Sequence, residues 1–233
     1  MRNPLNADRP IRRRRFLILC VSGWCALRAQ PASAPAAATP LEAYVRELES
    51  SYREVRTLRA EFTQTYVWGG RRRVESDTVC LARGGLMRWD YREPNQKLFI
   101  SDGKKLFLYI PEEKQLTRSS VKSSEDVRVP FHLLLSRLNL RKVFSRIEFA
   151  DQALESAPAH RLLRAFPRRG YDEDYREVLI EVGATFDIRR LVVFFPDHST
   201  MEFRFERTER NVNLSPALFR FTPPPGTEVI ERP

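Results

Sequence analysis

Between Val79 and Pro111 the chain reads VCLARGGLMRWDYREPNQKLFISDGKKLFLYIP, which packs three strand signals and two turn signals into one short run. In residues 86–92 large side chains alternate with charges. Met87, Trp89 and Tyr91 therefore share one face while Arg88, Asp90 and Arg92 share the other, the pattern of a half-buried antiparallel strand. Glu93, Pro94 and Asn95 break that run. Asp102 and Gly103 then predict the positive φ angles of a tight two-residue hairpin between residues 98–101 and 104–110. A meander of this kind commits the chain to a large antiparallel sheet with an aromatic face that something must cover.

The rest of the chain extends the sheet. Residues 58–68 alternate, with Phe62, Gln64, Tyr66 and Trp68 on one side, and Gly69 and Gly70 turn the chain into a strand over 71–83. Further strands are predicted over 144–150, 160–166, 175–182, 188–195 and 200–209, giving about ten. Only two convincing helices accompany them. The first opens with Thr39, Pro40 and Glu42 in a capping box, followed by Leu41, Tyr44, Val45, Leu48, Tyr52 and Val55 at helical spacing. The second spans 130–141 with Phe131, Leu134, Leu135 and Leu138 as its stripe, and the polar segment 119–128 leads into it.

A sheet of that length curls, and two or three short helices are the available cover for its concave side. Such a cover either completes a packed barrel or leaves an apolar hollow able to hold a hydrophobic ligand. Alternation is compatible with both. The first helix likewise fits a plug at one end of the barrel as well as a lid.

Bulk properties narrow the function classes. The 233 residues carry a formal charge of +10, with 40 Lys and Arg against 30 Asp and Glu. Seven arginines and one aspartate lie in residues 1–34, so the remainder holds 33 basic and 29 acidic residues, a mild +4 that makes a weak case for a polyanion such as nucleic acid. That leading segment has the grammar of a cleavable export signal: Arg12 to Arg15, an apolar stretch over 16–27, and Ala32, Ser33 and Ala34. The apolar stretch is too short to span a bilayer. Arg13, Arg14, Phe16 and Leu17 also fit a twin-arginine signal, so general secretory and twin-arginine routes both stay open, as does the exact cleavage point. A linker over 35–40 then precedes a single domain over 41–233. After cleavage Cys80 is the one remaining thiol, which excludes an internal disulfide and reads as a small apolar strand residue.

Catalytic signals are weak. His132, His160 and His198 have no ligand-like spacing to one another or to Cys80, so no metal site is expected. The Asp172, Glu173 and Asp174 cluster reads as a solvated loop, and no phosphate-binding loop, nucleophile elbow or metal motif appears. Arg71 to Arg73, Arg168 with Arg169, and Arg189 with Arg190 form small basic spots, which read as protected sheet edges or as attractors for anionic lipid or an acidic partner.

The order of several blocks resembles a known family. It begins with Leu58, Arg59, Ala60, Glu61, Phe62, Thr63 and Gln64, and continues through Leu81, Arg83, Leu86, Arg88, Trp89 and Tyr91, then Ile100 to Lys104 with Leu106 and Tyr109. It closes with Leu218 to Thr222, Pro224, Pro225, Gly226, Val229 and Ile230. This succession of RWDY, SDGK and FRFTPPPG blocks resembles the periplasmic lipoprotein carriers of the LolA type and covers nearly all of the chain after residue 40.

The resemblance implies a mainly β (α+β) fold: an incomplete antiparallel β-barrel of about ten strands covered by a lid of two or three short helices, with lipoprotein acyl chains held between. It implies a lid latch at Arg83, whose guanidinium has five fixed donors for helix carbonyls. The acyl-chain lining it suggests is Phe62, Met87, Trp89, Tyr91, Phe99 and Tyr109 on the sheet, Leu48 and Tyr52 on the first helix, and Phe131, Leu134 and Leu135 on the second. Partners would be acylated lipoproteins, an inner-membrane lipoprotein-releasing transporter and, where one exists, an outer-membrane acceptor, served by a periplasmic monomer without cofactor, metal, nucleic acid or enzymatic activity. A lipid- or lipoprotein-sensing regulatory domain on the same fold is the alternative, and an esterase lacks a catalytic constellation. Two departures stand out: Gly84 replaces the common proline after the latch arginine, and residues 119–128 are more charged than is usual for the lid.

Overall fold

The computed structural model describes residues 39–121, 138–151, 159–169 and 175–232. Residues Ala38–Pro233 form one compact unit. The chain enters through helix α1 (Pro40–Arg53), whose start is fixed by the capping box: the Glu42 N–H donates to Thr39 Oγ1 at 3.2 Å and the Thr39 N–H to Glu42 Oε2 at 2.9 Å. Its apolar stripe buries Val45, Leu48 and Tyr52.

Twelve strands follow among the described residues: β1 (Thr57–Trp68), β2 (Arg71–Ala82), β3 (Leu86–Glu93), β4 (Lys97–Asp102), β5 (Lys105–Ile110), β6 (Gln115–Ser120), β7 (Phe144–Phe149), β8 (Arg161–Pro167), β9 (Glu177–Val182), β10 (Ile188–Phe194), β11 (Thr200–Arg210) and β12 (Glu228–Glu231). They form one sheet ordered β12-β6-β5-β4-β3-β2-β1-β11-β10-β9-β8-β7. The fold is mainly β, and the sheet is open, an incomplete barrel with β7 and β12 at its edges. All pairings are antiparallel except β12 with β6, which is parallel, Glu228 opposite Gln115.

Two of these strands lie outside the ten that alternation predicts. β6 (QLTRSS) has almost no apolar alternation and is specified by its partner β5, Leu106 opposite Ser119 and Ile110 opposite Gln115. β12 is four residues at an edge. The hairpin at Asp102 and Gly103 also differs from expectation. Only Gly103 takes a positive φ, at 87°. The Asp102 carboxylate instead accepts the N–H groups of Lys104 and Lys105 at 2.8 and 2.7 Å, so aspartate works through its side chain. Gly103 is needed for a second reason, since a Cβ there would lie 2.5 Å from the carbonyl oxygen of Gly84 in the β2–β3 turn.

Of the second helix expected over 130–141, only the last residues lie among those described. There a single turn, α2 (Leu140–Val143), runs directly into β7.

Alternation along each strand sorts the side chains between two faces. The concave one carries Phe62, Val79, Leu81, Trp89, Leu191 and Phe203 among others in a single buried cluster that includes α1. The convex face is partly covered by the C-terminal segment. Phe219, in the 3₁₀ turn Pro216–Phe219, packs with Cys80, Ala82 and Leu214, and Arg88 Nη1 donates to the Leu218 carbonyl at 3.3 Å. Cys80 is thus a buried packing residue.

Candidate functional site

The candidate site is the concave aromatic face together with the groups that hold α1 over it. Trp89 sits at its centre, 1 % exposed. Its ring meets Phe62 edge-on at 4.7 Å between centroids, Phe203 at 5.8 Å and Phe205 at 6.3 Å. Phe62 also stands edge-on to Tyr91 at 5.0 Å. Each such contact adds about 0.5–1.5 kcal/mol beyond burial. The register explains the convergence: Val79 pairs with Trp89, Trp89 with Phe99, and Phe99 with Leu108, so one residue from each successive strand points inward.

Leu48, Tyr52, Phe62, Met87, Trp89 and Phe99 all belong to this cluster, and Tyr91 packs against it half-buried. Tyr109 does not. Because Phe99 pairs with Leu108, the next residue must point to the other face, and there Tyr109 packs on Phe221 at 5.2 Å. Phe131, Leu134 and Leu135 lie outside the described residues.

Three ties fasten α1. From the end of β2, Arg83 Nε donates to the Val55 carbonyl at 3.0 Å and Nη2 to the Arg53 carbonyl. Arg53 is the last residue of the helix, where carbonyls lack partners within the helix and a cation is favoured by its dipole, and Val55 lies just past its C-cap, Glu54. Arg83 is exposed and borders a cavity of about 460 Å³ lined by Glu49, Arg53, Glu54, Arg56, Leu138 and Asn139.

The second tie is buried. The Tyr52 hydroxyl accepts the Ile188 N–H at 2.9 Å, and the Arg210 guanidinium lies 4.6 Å above the Tyr52 ring while donating to the Phe186 carbonyl at 2.7 Å. Burial raises the Tyr52 pKa above its ordinary value, against the smaller lowering effects of the Ile188 N–H and Arg210. In the third tie Glu49 Oε1 accepts the Leu140 N–H at 2.8 Å, which caps α2 from α1. The second and third went unnoticed in the sequence because both join residues at least 91 positions apart.

The concave face changes character toward the β1–β2 turn. Glu75 is 3 % exposed, and both its oxygens accept from Lys97 Nζ at 2.7 Å while Arg73 Nη2 donates at 2.6 Å. Tyr91 donates to Gln64 Oε1 at 2.8 Å, and the Lys97 ammonium sits 4.2 Å over the Tyr91 ring. A buried carboxylate needs such pairing, and the network gives the apolar surface a polar border. Among the described residues no cluster of His, Cys, Asp or Glu is arranged to hold a metal ion, and no helix is long and apolar enough to cross a membrane.

The family described as outer membrane lipoprotein carrier protein LolA matches residues 53–222. The outer-membrane lipoprotein carrier protein of Dechloromonas aromatica is 31 % identical over 192 residues, spanning 80 % of this chain and 86 % of that one. The protein of the same name from Alkalilimnicola ehrlichii is 31 % identical over 218 residues, spanning 93 % and 92 %. Among solved structures, an uncharacterized conserved protein from Thermus thermophilus aligns with TM-score 0.51 at 12 % identity over 82 % of this chain and 98 % of that one, a likeness of fold. With the match running from the end of α1 through the C-terminal 3₁₀ turn, the chain belongs to the LolA family of outer membrane lipoprotein carrier proteins.

Proposed function

We propose that the chain is a non-enzymatic periplasmic carrier, exported with loss of residues 1–34, that shelters the acyl chains of lipoproteins between the concave face and α1 and conveys them from inner to outer membrane. The observation that carries this reading is the arrangement at α1. A helix covers an aromatic sheet face, and beside its buried contacts and the Tyr52 and Glu49 ties it carries one fastening that lies in solvent, the two hydrogen bonds from Arg83, each of modest strength. The names of the carrier relatives support the cargo class. In this reading Arg83 is the latch, and Leu48, Phe62, Met87, Trp89, Tyr91 and Phe99 belong to the surface that acyl chains meet when α1 moves.

Energetics shape the mechanism. Burying a methylene stabilises by about 0.8 kcal/mol, so a fully enclosed sixteen-carbon chain approaches ~12 kcal/mol, and several chains would hold the cargo almost irreversibly. Transfer is therefore an exchange of one apolar environment for another at nearly zero net cost. A small bias from the α1 ties suffices to set direction, with an inner-membrane releasing transporter loading and an outer-membrane acceptor unloading.

The test is a release assay: residues 38–233 are added to inner-membrane vesicles that hold a labelled lipoprotein and the releasing transporter with its nucleotide. Label in a soluble one-to-one complex supports the carrier. Label that stays with the vesicles, while the protein still binds free fatty acid, rejects delivery.

A further inference from the structure

The long β1–β2 hairpin ends in a cluster that the α1-covered site does not use. β2 continues from Ser76, the last residue paired with β3, through five more residues to Arg71, so among the described residues no strand pairs with the tip on that side. Tyr66 and Trp68 stack on one face at 4.8 Å and 19°. Val67, on the opposite face, is 37 % exposed. Trp68 pairs with Arg71, Val67 with Arg72 and Tyr66 with Arg73, so every apolar residue of the tip stands beside a guanidinium.

Arg71, Arg72 and Arg73 are exposed. Arg73 pairs with Glu75, whereas among the described residues Arg71 and Arg72 have no ion-pair partner. Residues 65–73 contain no acidic side chain. In the adjoining β10–β11 turn, Asp197 is engaged by the N–H and hydroxyl of Ser199 at 2.9 and 2.7 Å, and Tyr66 reaches the same hydroxyl at 3.4 Å. At about 3.3 Å per residue the tip lies some 36 Å along β1 from the α1 connection, clear of the ties around Arg83.

Tryptophan and tyrosine favour the boundary between water and acyl chains, arginine favours anionic headgroups, and a protruding hairpin presents both without opening the fold. We propose that the tip formed by Tyr66, Val67, Trp68, Arg71 and Arg72 docks on the surface of a membrane rich in anionic phospholipid. The proposal rests on the carrier reading for its purpose, since docking on a membrane surface brings the carrier alongside the membrane-bound transporter and acceptor that load and unload it. Its physical content is independent of cargo.

The test uses residues 38–233, which contain the entire sheet and its core and keep only Trp68 and Trp89 as tryptophans. Co-flotation is measured at low salt with vesicles of phosphatidylethanolamine and phosphatidylglycerol, and with phosphatidylcholine alone. The protein floats with the anionic vesicles and not with the neutral ones, and brominated lipid quenches Trp68 but not the enclosed Trp89. Arg71→Glu with Arg72→Glu lowers vesicle binding at least about tenfold. Trp68→Ala also lowers it and removes the quenching, while Arg71→Lys with Arg72→Lys largely preserves it and shows that charge is the cause. Binding of a fluorescent fatty acid without vesicles stays unchanged in all these variants, and its absence from the parent protein would count against the carrier reading alone. No flotation of the parent, equal flotation with neutral vesicles, or charge-reversed variants that float normally would each overturn the proposal. So would polyglutamate displacing the protein from vesicles at equimolar charge, because the tip would then be a site for acidic proteins.

Discussion

The Tyr52 hydroxyl on α1 accepts the N–H of Ile188 at the start of β10, at 2.9 Å and out of solvent. With Arg83 reaching the same end of α1 from β2, the helix is fastened from both sides of β1 and β11, once by a buried bond and once by an exposed one. A single intramolecular hydrogen bond is worth about 1 kcal/mol net, so the two differ less in strength than in what breaking them leaves behind. An opened Arg83 meets water at once, whereas Ile188 loses its N–H partner in a buried position.

Tyr52→Phe keeps the ring against Arg210 and removes only the acceptor. Leaving the buried Ile188 N–H unpaired costs about 1–3 kcal/mol. The midpoint of urea unfolding falls accordingly with the slope unchanged, and hydrogen exchange of the last turn of α1 speeds up.

Alkaline pH gives the same tie a second signature. Since burial raises the folded pKa of Tyr52 above that of the unfolded chain, its contribution is fully present below the unfolded value and is lost as pH rises through the folded one. Stability therefore declines above pH ~10, where the unfolded chain releases this proton first. In Tyr52→Phe the decline is shallower by one proton's worth of slope, readable from urea unfolding at stepped pH.

Arg83→Leu separates the latch from the fold. Its stability cost stays below about 1 kcal/mol because the site is exposed and water replaces the donors. A fluorescent fatty acid binds roughly fivefold more tightly, since the empty closed form loses its extra tie and the binding-competent fraction rises. Unchanged affinity would remove Arg83 from the mechanism.

Gly103→Ala strikes the support beneath the latch. Its new Cβ meets the Gly84 carbonyl oxygen, one residue past Arg83, and its φ of 87° is unfavourable for any side chain. Gly84→Ala has open space and suffers only the conformational strain, about 1–2 kcal/mol. Thermal unfolding places Gly103→Ala below Gly84→Ala, with the larger loss of fatty-acid retention.

What could be read from sequence follows the physics of local signals. α1 announced itself through the Thr39 and Glu42 box and its stripe, and Met87, Trp89 and Tyr91 were set on one face by alternation. β6 escaped because its polar residues are held in the sheet by β5, and Tyr109 was placed with the wrong face because an aromatic residue in a strand does not reveal which side is covered by Phe221. Glu75 and Lys97 are 22 positions apart and carry no local signal of a shared environment. Only the approach of β4 to the end of β2 makes them a buried pair, and no local pattern encodes that distance.

Leu108 and Tyr109 are neighbours in β5 on opposite faces, Leu108 packing against the concave cluster and Tyr109 against Phe221. A photoreactive phenylalanine at each position, in protein loaded with a lipoprotein labelled in its acyl chains, reads directly where those chains lie. A carrier that opens beneath α1 gives acyl cross-links at 108 and none above background at 109. Equal yields at the two positions, or capture at 109 alone, would contradict it.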